Sequence, residues 1–381
     1  MIANKVKFTN SGNSLFYATV KQRVDEYFNS KNLSIHANAT MWFKAGFYIT
    51  GFLITYFLLL FAPAPLSVHF GLALLLGIFA ALIGFNVCHD AIHNSFSPNP
   101  KVNKALGFIF NILGANPYVW GLTHNLAHHT YTNISGHDED IDVAPGLLRL
   151  CNADPVNKLQ TFQHYYAFFL YSFSMLSWVF RKDYKKFFQT HIGQHKNNHP
   201  KIQYFNLFFY KILYYTLFIM LPIFIMEYAW WQILIGFTAM LLIQVLVLGL
   251  VFQLAHVVEG TDFPSPNGEG KMEEAWAVHQ LRTTANFSSE SKIAAFICGG
   301  LNRQIEHHIF PKICHIHYPE ISKIVKSTAL EFNLPYNENS TFLKALASHY
   351  RMLKIFGRDA FRLEKMKNTN SDLRMTWQSQ K

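Results

Sequence analysis

Four long apolar runs decide most of what this chain can fold into. Met41 to Ala62, Leu66 to Val87, Leu207 to Met226 and Tyr228 to Phe252 each reach the roughly 20 residues an α-helix needs to cross the hydrocarbon core of a bilayer. Backbone groups in that core must be paired within the segment, so helices are the expected solution. Pro63 and Pro65 in "APAPL" lack the donor that would continue a helix, and Glu227 and Tyr228 divide the second pair. Two tight hairpins are therefore expected. With 50% hydrophobic and only 15% charged residues, the chain is too apolar for an ordinary soluble enzyme.

Charge sets the expected orientation, because Lys and Arg are retained on the cytoplasmic side of spanning helices. The 33 basic residues fall before or at the start of the first run, in the long middle loop, or after Phe252, except for Lys211. Both termini and the middle loop are thus expected in the cytoplasm, with Lys211 snorkelling toward the same interface from the third run. The net charge of +10 is spread over loops beside the spans rather than gathered in one stripe, which argues for lipid headgroups and against nucleic acid. The first forty residues lack a short apolar core with a small-residue cleavage site, so no signal peptide is expected. Cys88, Cys151, Cys298 and Cys314 sit in no paired spacing and are expected as free thiols.

Histidines gather where these runs end. "HDAIH" follows the second run and puts His89 and His93 four apart on one helix face. "HNLAHH" adds His124, His128 and His129, and "QIEHH" adds Gln304, His307 and His308. His256, in "FQLAHVVE", is expected one turn past the fourth run. Imidazole is the commonest metal ligand among side chains, and these eight histidines on one side of the membrane suit two transition-metal ions better than one. A closed structural zinc site would stop at four ligands and usually include cysteine. Gln304 is either a weak direct ligand or a residue that orients His307 or a water. Carboxylates that orient the imidazoles are sought at Asp90, Asp138, Asp140, Asp142 and Glu259.

Other histidines read differently. His191, His195 and His199 recur every four residues in "HIGQHKNNH", within a basic stretch expected as a helix along the headgroups rather than as a metal site. His137, His164, His279, His315 and His317 are expected in structural or supporting roles. The segment Ala105 to Trp120 has the mixed apolar character of an in-plane or re-entrant piece.

The three boxes, in this order around two apolar pairs, resemble the membrane fatty acid desaturases, whose signature is H-x3-4-H, H-x2-3-HH and H-or-Q-x2-HH. The resemblance covers about residue 40 to about residue 320, and "HHTYTNISGHDED" and "QIEHHIFP" are similar to the family's flanking sequences. Gln304 at the head of the third box is similar to the front-end subgroup, which desaturates between an existing double bond and the carboxyl end. The resemblance implies a di-iron centre ligated by His89, His93, His124, His128, His129, His256, His307 and His308, with O2 as co-substrate. Many eukaryotic front-end members carry a fused cytochrome b5 domain with an "HPGG" motif, which this chain lacks, so a separate donor, ferredoxin or cytochrome b5, is implied.

Removing two hydrogens from an unactivated alkyl chain requires an oxidant that no side chain supplies, so O2 must be reduced at metal. The same oxidant also supports hydroxylation, which stays open, as does delivery of the acyl group on coenzyme A or on a lipid. A histidine-rich metal transporter would place polar residues inside the spans, and these runs hold few. The expected fold is an all-α integral membrane protein of four transmembrane helices in two hairpins with a cytoplasmic helical cap holding a di-metal site. It divides into a cytoplasmic arm (1–40), a membrane and di-iron domain (41–320), and a C-terminal helical segment with a polar tail (321–381).

Overall fold

The computed structural model describes residues 6–9, 15–138, 140–141 and 143–366. Four helices are long and apolar enough to cross a bilayer: α2 (Ala39–Phe61), α3 (Leu66–Ile92), α7 (Lys201–Ile225) and α8 (Trp230–His256). A first helix, α1 (Leu15–Ser30), precedes them. Asn38 starts α2 by accepting from the Met41 backbone N–H at 3.0 Å, and Pro65 stands immediately before α3. The outward faces of the long helices carry Phe43, Ile54, Phe57, Ile212, Phe224 and Ile235 in exposed positions, an arrangement that suits lipid and not water.

α8 packs along α3, and Leu76, Ala80 and Ile83 share one core with Met240, Leu241 and Val245. The approach is close at Gly77, where a Cβ would come within 2.3 Å of the Met240 carbonyl oxygen. At the start of both helices, the Tyr228 hydroxyl donates to the Ala64 carbonyl at 2.9 Å and meets His69 Nδ1 at 3.0 Å. His89 and His256 stand at the opposite, C-terminal ends of the same two helices. His256 is the last residue of α8 itself, not a residue one turn beyond it.

Between α3 and α7 the chain makes a sharp excursion. Helix α4 (Pro100–Ile112) and helix α5 (Pro117–Tyr131) meet at 113°, each opening on an Asn side chain that accepts from the first turn, with Pro at the first position. This bend falls within Ala105 to Trp120, the segment expected as an in-plane or re-entrant piece. Helix α6 (Gln163–Ser177) then runs through a widened turn at Trp178–Lys182 into a short helix, Asp183–Phe188.

Two expectations are corrected here. Lys211 does not snorkel: its side chain is 5% exposed, pairs with Asp183 at 2.8 Å and donates to the Gly114 carbonyl at 2.8 Å. Asp183 also accepts from the Asn116 backbone N–H and the Trp178 indole, so one buried pair ties the α4–α5 bend and α6 to α7. The stretch with His191, His195 and His199 is not a single helix either. His191–Ile192 pairs antiparallel with His195–Lys196 around Gly193, whose φ of +53° ends helical continuity. His199 stacks on Phe187 and bonds the Phe187 carbonyl.

After α8 come α9 (Trp276–Thr283), α10 (Gln304–Ile309), α11 (Tyr318–Glu331) and α12 (Phe342–Lys354). Phe16, Val20, Val24 and Phe28 recur every four residues on α1 and share a core with Leu281, Ile305, Ile309, Ile321 and Val325. Arg23 pairs with Glu331 at 2.8 Å on the rim of that contact. The four cysteines are free and buried. The polar tail beyond residue 366 lies outside the described residues.

Candidate metal centre

Helical ends bring the boxes together. The last turns of α3 widen over Gly84–Cys88, just before His89, and α5 widens over Leu122–His128, where the His129 N–H reaches the His124 carbonyl five residues back. The extra residue per turn lets His124 and His129 project toward each other, with their Nε2 atoms 3.2 Å apart. His124 also stacks on His128, ring centroids 5.0 Å apart.

Two groups result. His89, His93, His124 and His307 form one and His128, His256 and His308 the other, with the ligand atoms of each group within 4.8 Å of one another. His129 lies between them, its ring 4.8 Å from His93, 4.6 Å from His307 and 4.4 Å from His308. All eight side chains are buried. Burial first, then neighbouring imidazoles, hold His93, His307 and His308 well below the usual imidazole range, which keeps them neutral as metal ligation requires.

Unpaired nitrogens test whether metal fits. His93, His128 and His307 each leave Nε2 without a hydrogen-bond partner, His129 and His256 leave Nδ1, and His89 leaves both nitrogens. Buried polar atoms are seldom left so. A cluster of buried imidazoles whose ring nitrogens lack a protein partner is a donor set suited to transition metals.

Carboxylates stand behind the ligands. Asp138 takes His128 Nδ1 at 2.9 Å, and Asp140 takes His124 Nδ1 at 2.9 Å. Asp90 accepts from His315 Nδ1 at 2.8 Å and lies 3.9 Å from His89 Nδ1, while Lys44 Nζ sits 3.1 Å from His315 Nε2. Such partners fix ring orientation and tautomer. Glu259 is corrected: it pairs with exposed Arg351 and accepts from Ser348, and is itself nearly half exposed, away from the histidines. Asp142 lies outside the described residues.

Gln304 reaches the second group, its amide nitrogen 2.8 Å from His256 Nε2 and 3.2 Å from His308 Nε2. Sequence reasoning missed Gln280, whose Oε1 holds His308 Nδ1 at 2.8 Å and Thr132 at 2.8 Å, and Asn133, whose amide bonds the carbonyls of His256, Asp262 and Thr283. Asn133 could have been sought from its place four residues after the second box, whereas nothing in the sequence marks Gln280. Of the remaining histidines, His279 bonds the Thr132 carbonyl, His317 the His36 carbonyl, His164 packs on Tyr165 and His137 on Tyr131.

A cavity opens from the first group between α3, α6 and α8. His89, His124 and Asp140 line one part, and Phe85, Phe110, Trp120, Val245, Leu248 and Leu301 give it an apolar wall. Trp120 stacks on His124 at 4.2 Å.

The model of the fatty acid desaturase family matches residues 65–340, a span that takes in all three boxes, His256 and this cavity. The chain belongs to the fatty acid desaturase family. Relatives agree along nearly its whole length. An sn-1 linoleoyl-lipid 6-desaturase of Synechocystis sp. is 35% identical over 360 residues, 94% of this chain and 99% of the relative. An acyl-lipid (8-3)-desaturase of Physcomitrium patens is 35% identical over 94% of this chain and 75% of its own. An sn-1 linoleoyl-lipid 6-desaturase of Arthrospira platensis is 31% identical over 89% and 92%. The desaturase is thus an oxidoreductase acting on fatty acyl chains, and its cavity adjoins the first histidine group.

Proposed function

We propose that this desaturase is a front-end acyl-lipid enzyme. It uses O2 and a pair of iron ions to place a cis double bond between an existing one and the carboxyl end. The observation that carries the reading is the apolar cavity that ends on His89 and His124. The names of the relatives supply the lipid-borne substrate and the position near the carboxyl end. His89, His93, His124, His128, His129, His256, His307 and His308 are assigned as ligands, with Gln304 beside the second group. Iron bound there would supply the O2 reduction and hydrogen removal that no side chain performs.

The chain's own residues do the rest. Asp138 and Asp140 hold the Nδ1 protons of His128 and His124, which turns each Nε2 lone pair inward. Trp120, Phe110 and Leu248 keep water from the acyl chain, and Phe252 packs over His128 and His256. Gly84 and Gly249 line the cavity without side chains. A Cβ at Gly249 would only touch Tyr171 at 3.7 Å, so that glycine is not required for close backbone packing and instead leaves room for the chain.

The four spans are assigned as two hairpins, with both termini and the histidine groups cytoplasmic, as the basic residues dictate. Electrons come from a separate donor, ferredoxin or cytochrome b5, and the basic loops suit both an acidic donor and lipid headgroups. Expression in a bacterial host with such a donor, feeding of linoleate and mapping of double bonds by mass spectrometry test the reading. A new bond on the carboxyl side supports it; a new bond elsewhere or a hydroxyl product overturns it.

A further inference from the structure

Gln253 is a polar residue in an apolar cavity with nothing in the protein to bond. It lies three residues before His256 on α8, is 3% exposed, and lines the cavity with His89, His124, Leu248 and Gly249. Its side-chain amide makes no hydrogen bond among the described residues, and a half-turn of that amide exchanges Oε1 and Nε2, so its N–H can be presented to a ligand. Two other buried glutamines are held by backbone carbonyls. Gln244, on the same helix, donates to the Leu113 carbonyl at 3.0 Å, and Gln163 donates to the Arg149 and Leu353 carbonyls. A buried amide left unpaired carries its full desolvation penalty, so a fold keeps one where a ligand completes it.

We infer that Gln253 is the anchor for the acyl carbonyl: its amide N–H donates to the carbonyl oxygen of the bound acyl group. The inference rests on the reading of the cavity as the acyl chamber. Three residues of helix separate Gln253 from His256, roughly 4.5 Å along the axis, whereas Val245 lies roughly 12 Å from Gln253 in the opposite direction. A carbonyl fixed at Gln253 therefore lies beside the histidines, and the longer hydrocarbon part runs toward Val245. The reacting carbons then sit a few bonds from the carbonyl. An enzyme that counted from the methyl end would need its polar anchor far from the metal. Gln253 accordingly sets the position of the double bond as well as binding the substrate.

An acyl carbonyl reaches the site as a lipid ester or as a coenzyme A thioester, so both carriers are supplied to membranes holding the full chain and its electron donor. On the carrier that is turned over, a linoleoyl substrate is compared with its linoleyl analogue, which lacks only the carbonyl. The wild type is expected to favour the carbonyl substrate about tenfold. Gln253→Leu is expected to lose that preference and to scatter the new double bond over neighbouring positions, with Gln253→Asn between the two. Because no internal partner is removed, Gln253→Leu should accumulate as the wild type does. An undiminished carbonyl preference in Gln253→Leu overturns the inference. So does failure of that variant to accumulate, which would reveal a structural partner. A wild type that forms no double bond refutes the desaturase reading itself, which separates the two failures.

Discussion

Asp138→Asn isolates what the carboxylates behind the ligands contribute. Asp138 is buried, and both its oxygens are committed: Oδ1 accepts from His128 Nδ1 at 2.9 Å and from the Asp140 backbone N–H at 2.9 Å, while Oδ2 accepts from His128 at 3.0 Å and from the Asn133 backbone N–H at 2.8 Å. An asparagine keeps the shape but turns one of those oxygens into a donor aimed at a backbone donor. One buried N–H then loses its partner, which costs about 1 to 3 kcal/mol of stability. His128 also loses the charge that fixes its tautomer, and loss of such a partner typically weakens metal binding by about tenfold to a hundredfold, or about 1.4 to 2.7 kcal/mol. The assay is chelator competition on purified protein, reading iron retained against free chelator. Glu259→Gln is the control, because Glu259 faces Arg351 at the surface and should leave iron affinity unchanged. Asp138→Asn with wild-type iron affinity would refute the reasoning.

Lys211→Met should lower stability by about 3 to 5 kcal/mol, because it strands Asp183 as a buried charge, and Asp183→Asn in the same chain should recover much of the loss; thermal unfolding in detergent measures both. Gly249→Leu should cut turnover of long acyl chains about tenfold relative to short ones by filling the cavity opposite Tyr171, read from competing chains in one membrane sample. His308→Ala should abolish activity while leaving insertion intact, whereas His195→Ala, at an exposed strand position, should do little; product analysis against protein amount distinguishes them.

The spans were legible because lipid leaves few solutions for a long apolar run, and the boxes because box spacing survives whatever the turns between them do. Asp138 and Asp140 could be anticipated from their place just after the second box. The widened turns at Gly84–Cys88 and Leu122–His128 could not, since a bond to the fifth residue back is chosen by packing and leaves no period in the sequence. Lys211 was misplaced because its partner, Asp183, comes from a segment that only the α4–α5 bend brings near. The four-residue recurrence of His191, His195 and His199 suggested a helix, yet Gly193 at positive φ turns that stretch into two paired strands. Gln280 and Gln253 carried no signal, because a lone glutamine gains meaning only from what surrounds it.

The decisive measurement is metal analysis of the purified full chain. A pair of iron ions per wild-type chain is expected, and their loss when His128 and His308 are both replaced by Ala. Iron content unchanged by that double substitution, or zinc in place of iron in active protein, would contradict it.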